Sequence, residues 1–114
     1  MGTVTIGIAT MDDVKRSLLA AFQGKQQGEF ITFPSVAALM ETLTPKRWEI
    51  IQAMTGEGPM SIRAVARLVN RDVKAVHGDV QALLLTGVLD KDGSGQVVFP
   101  YDAIHVDFTI GKAA

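Results

Sequence analysis

The spacing of apolar residues changes period several times along this chain. From Thr3 to Ala9 it alternates, with Val4, Ile6 and Ile8 on one side and Thr5 and Gly7 on the other. That pattern predicts a half-buried strand. Thr10 then precedes Asp12 and Asp13, which is N-cap chemistry followed by negative charge in a first helical turn. Val14, Leu18, Leu19 and Phe22 recur at helical spacing, so the expected helix runs to Gln23. Gly24 to Gly28 reads as a turn and Glu29 to Phe33 as a second short strand. Ser35 starts another helix, with Val36, Leu39, Met40 and Leu43 as its apolar residues.

Thr44-Pro45 is a firm boundary. Threonine suits an N-cap, and proline suits the first helical position, where its missing N–H is no loss. Leu43 and Trp48 stand where a hydrophobic staple would pin the helix start. Trp48, Ile51 and Met54 mark the inner face, and Gly56 to Pro59 ends the helix. Ser61 caps the next helix, with Ile62, Val65, Ala66 and Val69 inward, and Asn70-Arg71 forms a short turn. Asp72 caps a longer helix whose stripe is Val73, Val76, Val80, Leu83 and Leu84, and Gly87 is a left-handed terminator. Val88-Leu89, Asp90 to Gly95 and Gln96 to Tyr101 read as strand, tight polar loop and strand. Ile104, Val106, Phe108 and Ile110 then alternate with His105, Asp107 and Thr109, predicting one more half-buried strand.

This order predicts an α+β fold: a winged helix-turn-helix over 44–101, with an added N-terminal strand-helix and a C-terminal strand. Residues 1–43 would be an extension used for dimerisation or a partner, and 102–114 a closing strand and tail. In such a unit two short helices share a small core, and the second offers its outer face to the major groove. On a wheel of 100° per residue, the face opposite Val73, Val76, Val80 and Leu83 holds Arg71, Lys74, Ala75, Gly78 and Gln81, with His77 at its border. Two cations, an amide and two very small residues suit a groove; a solvated helix face would look similar. Gln81 is placed to bond adenine, and Arg71 or Lys74 to reach guanine or phosphate. Gly78 costs about 1 kcal/mol relative to alanine inside a helix, so close approach to DNA, or a weakened binding surface, would explain it.

Ser61, Arg63 and Arg67 are further candidate phosphate contacts. Lys46 and Arg47 begin a helix, where cations oppose its dipole. Either a partner phosphate or an acidic neighbour within the protein would answer them. Lys91, Ser94 and Gln96 surround the expected wing tip. Asp90, Asp92, Ser94 and Gly95 also fit the opening of a calcium loop after a helix, but Tyr101 stands where a bidentate glutamate is required.

Composition narrows the classes. The chain has 114 residues, 47% hydrophobic and 20% charged, which suits one folded domain. It has no cysteine, so disulfides, thiolate metal sites and a cysteine nucleophile are excluded. No apolar run approaches the ~20 residues of a membrane helix, and the N-terminus lacks secretion-signal character, so a cytoplasmic protein with no membrane partner is expected. The net charge is −1, yet residues 44–87 hold six basic and four acidic side chains against three and four in 1–43. Positive charge gathers where the helix-turn-helix pattern lies. His77 and His105 have no second ligand at metal spacing, and no serine sits in a nucleophile elbow. Neither catalysis nor a cofactor is expected.

Leu43 to Ile51, Gly58 to Arg67, Arg71 to Leu83, Gly87 to Leu89 and Pro100 to Ile104 together resemble a family of small prokaryotic winged-helix transcriptional regulators, some MarR-like and some antitoxin-like. The resemblance covers residues 43–110 and implies DNA binding and repression of a nearby operon. That family usually carries a bulky polar or charged residue at the place of Gly78, and often a polar one at Ala75. Three functions follow as expectations. The first is a homodimeric repressor of double-stranded DNA. The second is an antitoxin-type protein whose first 43 residues hold a toxin or another adjacent gene product. The third is a winged helix used only to bind protein.

Overall fold

The alternating segment Thr3–Ile8 (β1) forms the middle of a three-stranded parallel sheet. The computed structural model describes residues 2–9, 15 and 29–111. Glu29–Phe33 (β2) lies along one edge of β1, pairing Val4 with Glu29 and Ile8 with Phe33. A later strand, Ala103–Asp107 (β5), lies along the other and pairs Val4 with Ile104 and Ile6 with Val106. Partners at one level of a sheet point to the same face. Val4, Ile6, Ile31, Phe33, Ile104 and Val106 therefore share one side, and Val4 and Ile6 are fully buried there. Thr5, Gly7, His105 and Asp107 share the other. Gly7 is required by proximity: a Cβ on it would lie 2.8 Å from the Asp107 carbonyl oxygen. Residues 1–43 and 102–114, separate segments in the sequence reading, thus contribute strands to one sheet.

Four helices follow the boundaries that the capping residues indicate: Val36–Thr42 (α1), Pro45–Met54 (α2), Ile62–Val69 (α3) and Val73–Thr86 (α4). The N-cap oxygens of Ser35, Thr44, Ser61 and Asp72 each accept the N–H three residues on, at 3.0, 3.4, 3.1 and 3.3 Å. Each such cap contributes about 1 kcal/mol. Asn70 ends α3 at φ 55° and Gly87 ends α4 at φ 85°, both in the left-handed region that closes helices.

After α4, Asp90–Lys91 (β3) and Val97–Val98 (β4) form a short antiparallel hairpin. Val88 and Leu89, expected as its first strand, instead lie in the turn before it and are buried. The fully buried Leu83, Val88 and Leu89 anchor this turn to the end of α4, which moves the ladder outward along the chain. Met60, just before α3, bridges Val97 on the far side of β4 through N–H···O contacts of 2.9 and 2.8 Å.

One apolar cluster joins Ile6 and Phe33 of the sheet to Leu39 of α1, Met54 of α2, Val65 of α3 and Leu83 of α4. The protein is a small, compact α+β domain. Several expected positions differ. Ile50, absent from the inner face drawn for α2, is completely buried, while Trp48 is half-buried; α2 packs over a wider arc than a single stripe. Val73 is 41% exposed because α4 begins there, one turn before it reaches the core, and Met40 is exposed as well. The expected strand to Ile110 pairs only as far as Asp107, leaving Ile110 75% exposed, while Val106, paired with Ile6 on an edge strand, is 42% exposed. The helix predicted to Gln23 and the turn after it lie outside the described residues, apart from Lys15, which is helical. No helix among the described residues is long and apolar enough to cross a membrane.

Candidate nucleic-acid interface

The orientation of α4 follows from its three fully buried residues, Val76, Val80 and Leu83. With these turned inward, the opposite arc must face out. Lys74, Ala75, His77 and Gly78 are all exposed there, and Gln81 is half-buried. An added Cβ at Gly78 would meet no atom within 4 Å, so the packing of this chain does not require glycine at that position. Arg63 and Arg67 are exposed on α3, and Lys46 is exposed in the first turn of α2. Ser61 is exposed too, with its hydroxyl accepting the Ala64 N–H as a helix cap.

Arg71 behaves differently from the other candidate cations. Its Nη2 donates to Asp79 Oδ2 at 2.8 Å, and its side chain is 17% exposed. Its Nη1 is buried without a hydrogen-bond partner. Arg47 approaches the same carboxylate from α2, with Nε donating to Oδ1 at 3.0 Å and Nη1 donating to the Thr42 carbonyl at 2.8 Å. Burial pushes the Asp79 carboxyl upward, but hydrogen bonds from Arg71 and Arg47, and then their charges, hold it below the usual carboxylate value. This knot joins the end of α1, the start of α2, the turn before α4 and the second turn of α4. Arg71 therefore fixes the placement of α4. Asp79 was missed in the sequence because it lies on neither the apolar stripe nor the outer arc. The available signal was Arg47, a cation at a helix start in need of an acid.

The hairpin loop is ordered from within. Asp92 Oδ1 accepts the Ser94 N–H at 2.9 Å, the Ser94 hydroxyl at 2.7 Å and the Gln96 N–H at 3.0 Å. The Ser94 hydroxyl contact is the main reason that the Asp92 carboxyl sits below its ordinary value. Ser94 thus turns its hydroxyl proton into the loop, while the side chains of Lys91 and Gln96 remain exposed. Among the described residues, no three His, Asp or Glu side chains converge on a point that could hold a metal ion.

A groove of about 390 Å³ opens elsewhere, between α2 and β5, with Trp48, Ile51, Gln52, Phe99, Ile104 and Val106 in its wall. The candidate residues of α3, α4 and the hairpin loop take no part in it.

No curated protein and no solved structure matches the chain. The profile of the HVO_A0114 family matches residues 42–106, from the last residue of α1 almost to the end of β5. All three helices of the candidate interface and the hairpin lie within that span, and the chain belongs to the HVO_A0114 family.

Proposed function

We propose that residues 44–101 are a winged helix-turn-helix that binds double-stranded DNA as a homodimer and represses transcription. In this reading α4 enters the major groove and the loop Asp92–Gln96 is the wing. One observation carries it: the outer arc of α4 presents Lys74, Ala75, His77 and Gly78 to solvent, while the single acid in the body of that helix, Asp79, is held by Arg47 and Arg71. Lys74 then projects without an adjacent carboxylate to offset it within the helix. The two small residues let the helix axis approach the base edges closely. Arg63, Arg67 and Lys46 are phosphate contacts, which position the protein without reading sequence. The bridge from Met60 to Val97 supports the reading further, because it ties the hairpin to the start of α3.

Leu68 and Val73, exposed on either side of the turn between α3 and α4, favour a second use of the same surface, the binding of a protein. Anisotropy titrations against DNA selected from a random pool separate the two. DNA binding predicts affinity that falls steeply with salt and drops when Lys74 and Gln81 are replaced together by alanine. Affinity indifferent to both changes supports the protein-binding use.

A further inference from the structure

We propose that the homodimer forms through β5, with two copies joined edge to edge and antiparallel in the register centred on Val106. The inference deepens the homodimer of the proposed function and rests on it. Both edges of β1 are occupied, so β2 and β5 are the sheet edges among the described residues. The alternation of β5 continues past its pairing with β1, and Val106 and Ile110 remain exposed. An unpaired edge with strand-forming sequence invites another strand.

The sequence of β5 matches itself. In the register centred on Val106, His105 faces the second copy's Asp107, so a ring N–H donor stands opposite a carboxylate acceptor. Ile104 faces the second copy's Phe108, and Val106 faces its own counterpart. A two-fold axis repeats each pair, and directly opposed residues share a face. Ile104 and Val106 also line the open groove beside Trp48 and Ile51, so Phe108 arrives at the mouth of an apolar cleft. Moving the centre to His105 would set Asp107 against Ala103 and bring two histidines together. The β2 edge matches itself less well: centring on Ile31 sets Glu29 against Phe33, centring on Phe30 sets it against Ile31, and centring on Thr32 pairs Ile31 with Phe33 but sets Phe30 against Pro34, which has no N–H to donate.

The chain has no cysteine, which makes cross-linking direct. Facing Cα atoms in an antiparallel pair lie about 4.5–5.5 Å apart, within disulfide reach. Under mild oxidation at micromolar concentration, Val106→Cys should form a disulfide-linked dimer. Ile104→Cys and Phe108→Cys should link when mixed and form no disulfide alone. The control is Leu85→Cys on α4, since Leu85, at 89% exposed, is the most exposed large apolar side chain among the described residues and lies away from β5. Absence of the Val106→Cys link, or faster linking at Leu85→Cys, overturns the interface. DNA binding is scored separately on the unmodified chain. A protein that links at Val106→Cys and ignores DNA overturns the proposed function and leaves the interface standing.

Discussion

Asp79 lies off the outer arc of α4, yet it ties that helix to two other parts of the fold. Two arginines share its carboxylate, and its side chain is 18% exposed. Asp79→Asn leaves both guanidinium groups with a weaker acceptor and should destabilise the fold by about 1–3 kcal/mol, read by urea denaturation. The pH dependence has a definite sign. The folded-state carboxyl titrates below its ordinary value of 3.8, so its contribution is complete above that value and is lost as pH falls through the folded one. Wild type should therefore lose stability on acidification below pH 3.8 more steeply than Asp79→Asn. Parallel acid limbs for the two proteins would contradict the knot. Gly78 gives the opposite prediction. With open space around it, Gly78→Ala should stabilise the protein by about 0.5–1 kcal/mol through helix propensity. If DNA affinity falls at the same time, close approach is the reason for the glycine.

At the scale of elements, caps and turns were legible because local chemistry decides them. Ser35, Thr44, Ser61 and Asp72 cap the helices they were expected to start, and Gly87 ends α4. The buried arc of α4 was readable for the same reason, since Val76, Val80 and Leu83 share one side of any helix. What was not legible depends on partners distant in sequence. The pairing of β1 with β5 joins residues about a hundred positions apart, and alternation alone names no partner. The exposure of Val106 follows from an edge position that the pattern cannot encode. Arg71 looked like a groove contact because it lies at the start of α4, and only the fold brings Asp79 to it. Gly7 provides a test at this scale. Gly7→Val forces a Cβ against the Asp107 carbonyl and should cost about 1–3 kcal/mol as overpacking. Gly93→Ala, in open space, should be close to neutral by the same denaturation measurement.

As a whole molecule, the chain places a parallel sheet and a helical unit around one core, with the candidate DNA surface on α3, α4 and the hairpin loop. Its overall charge of −1 gives no general attraction to nucleic acid. Any binding must therefore come from the local surface, and single cations should matter. Removing Arg63, Arg67 or Lys74 should each lower the salt slope by about 1 without changing which sequence is preferred, if the contact is to phosphate. A change of preferred sequence at one base pair would instead mark a base contact. Whether α4 reads DNA is decided by titrating the intact chain with its selected DNA across a range of salt, beside the double variant Lys74→Ala, Gln81→Ala. If α4 reads DNA, log affinity falls steeply and linearly with log salt, and the variant binds more weakly and less selectively. Equal affinity of the two proteins at every salt concentration, or no salt-sensitive binding by either, would contradict it.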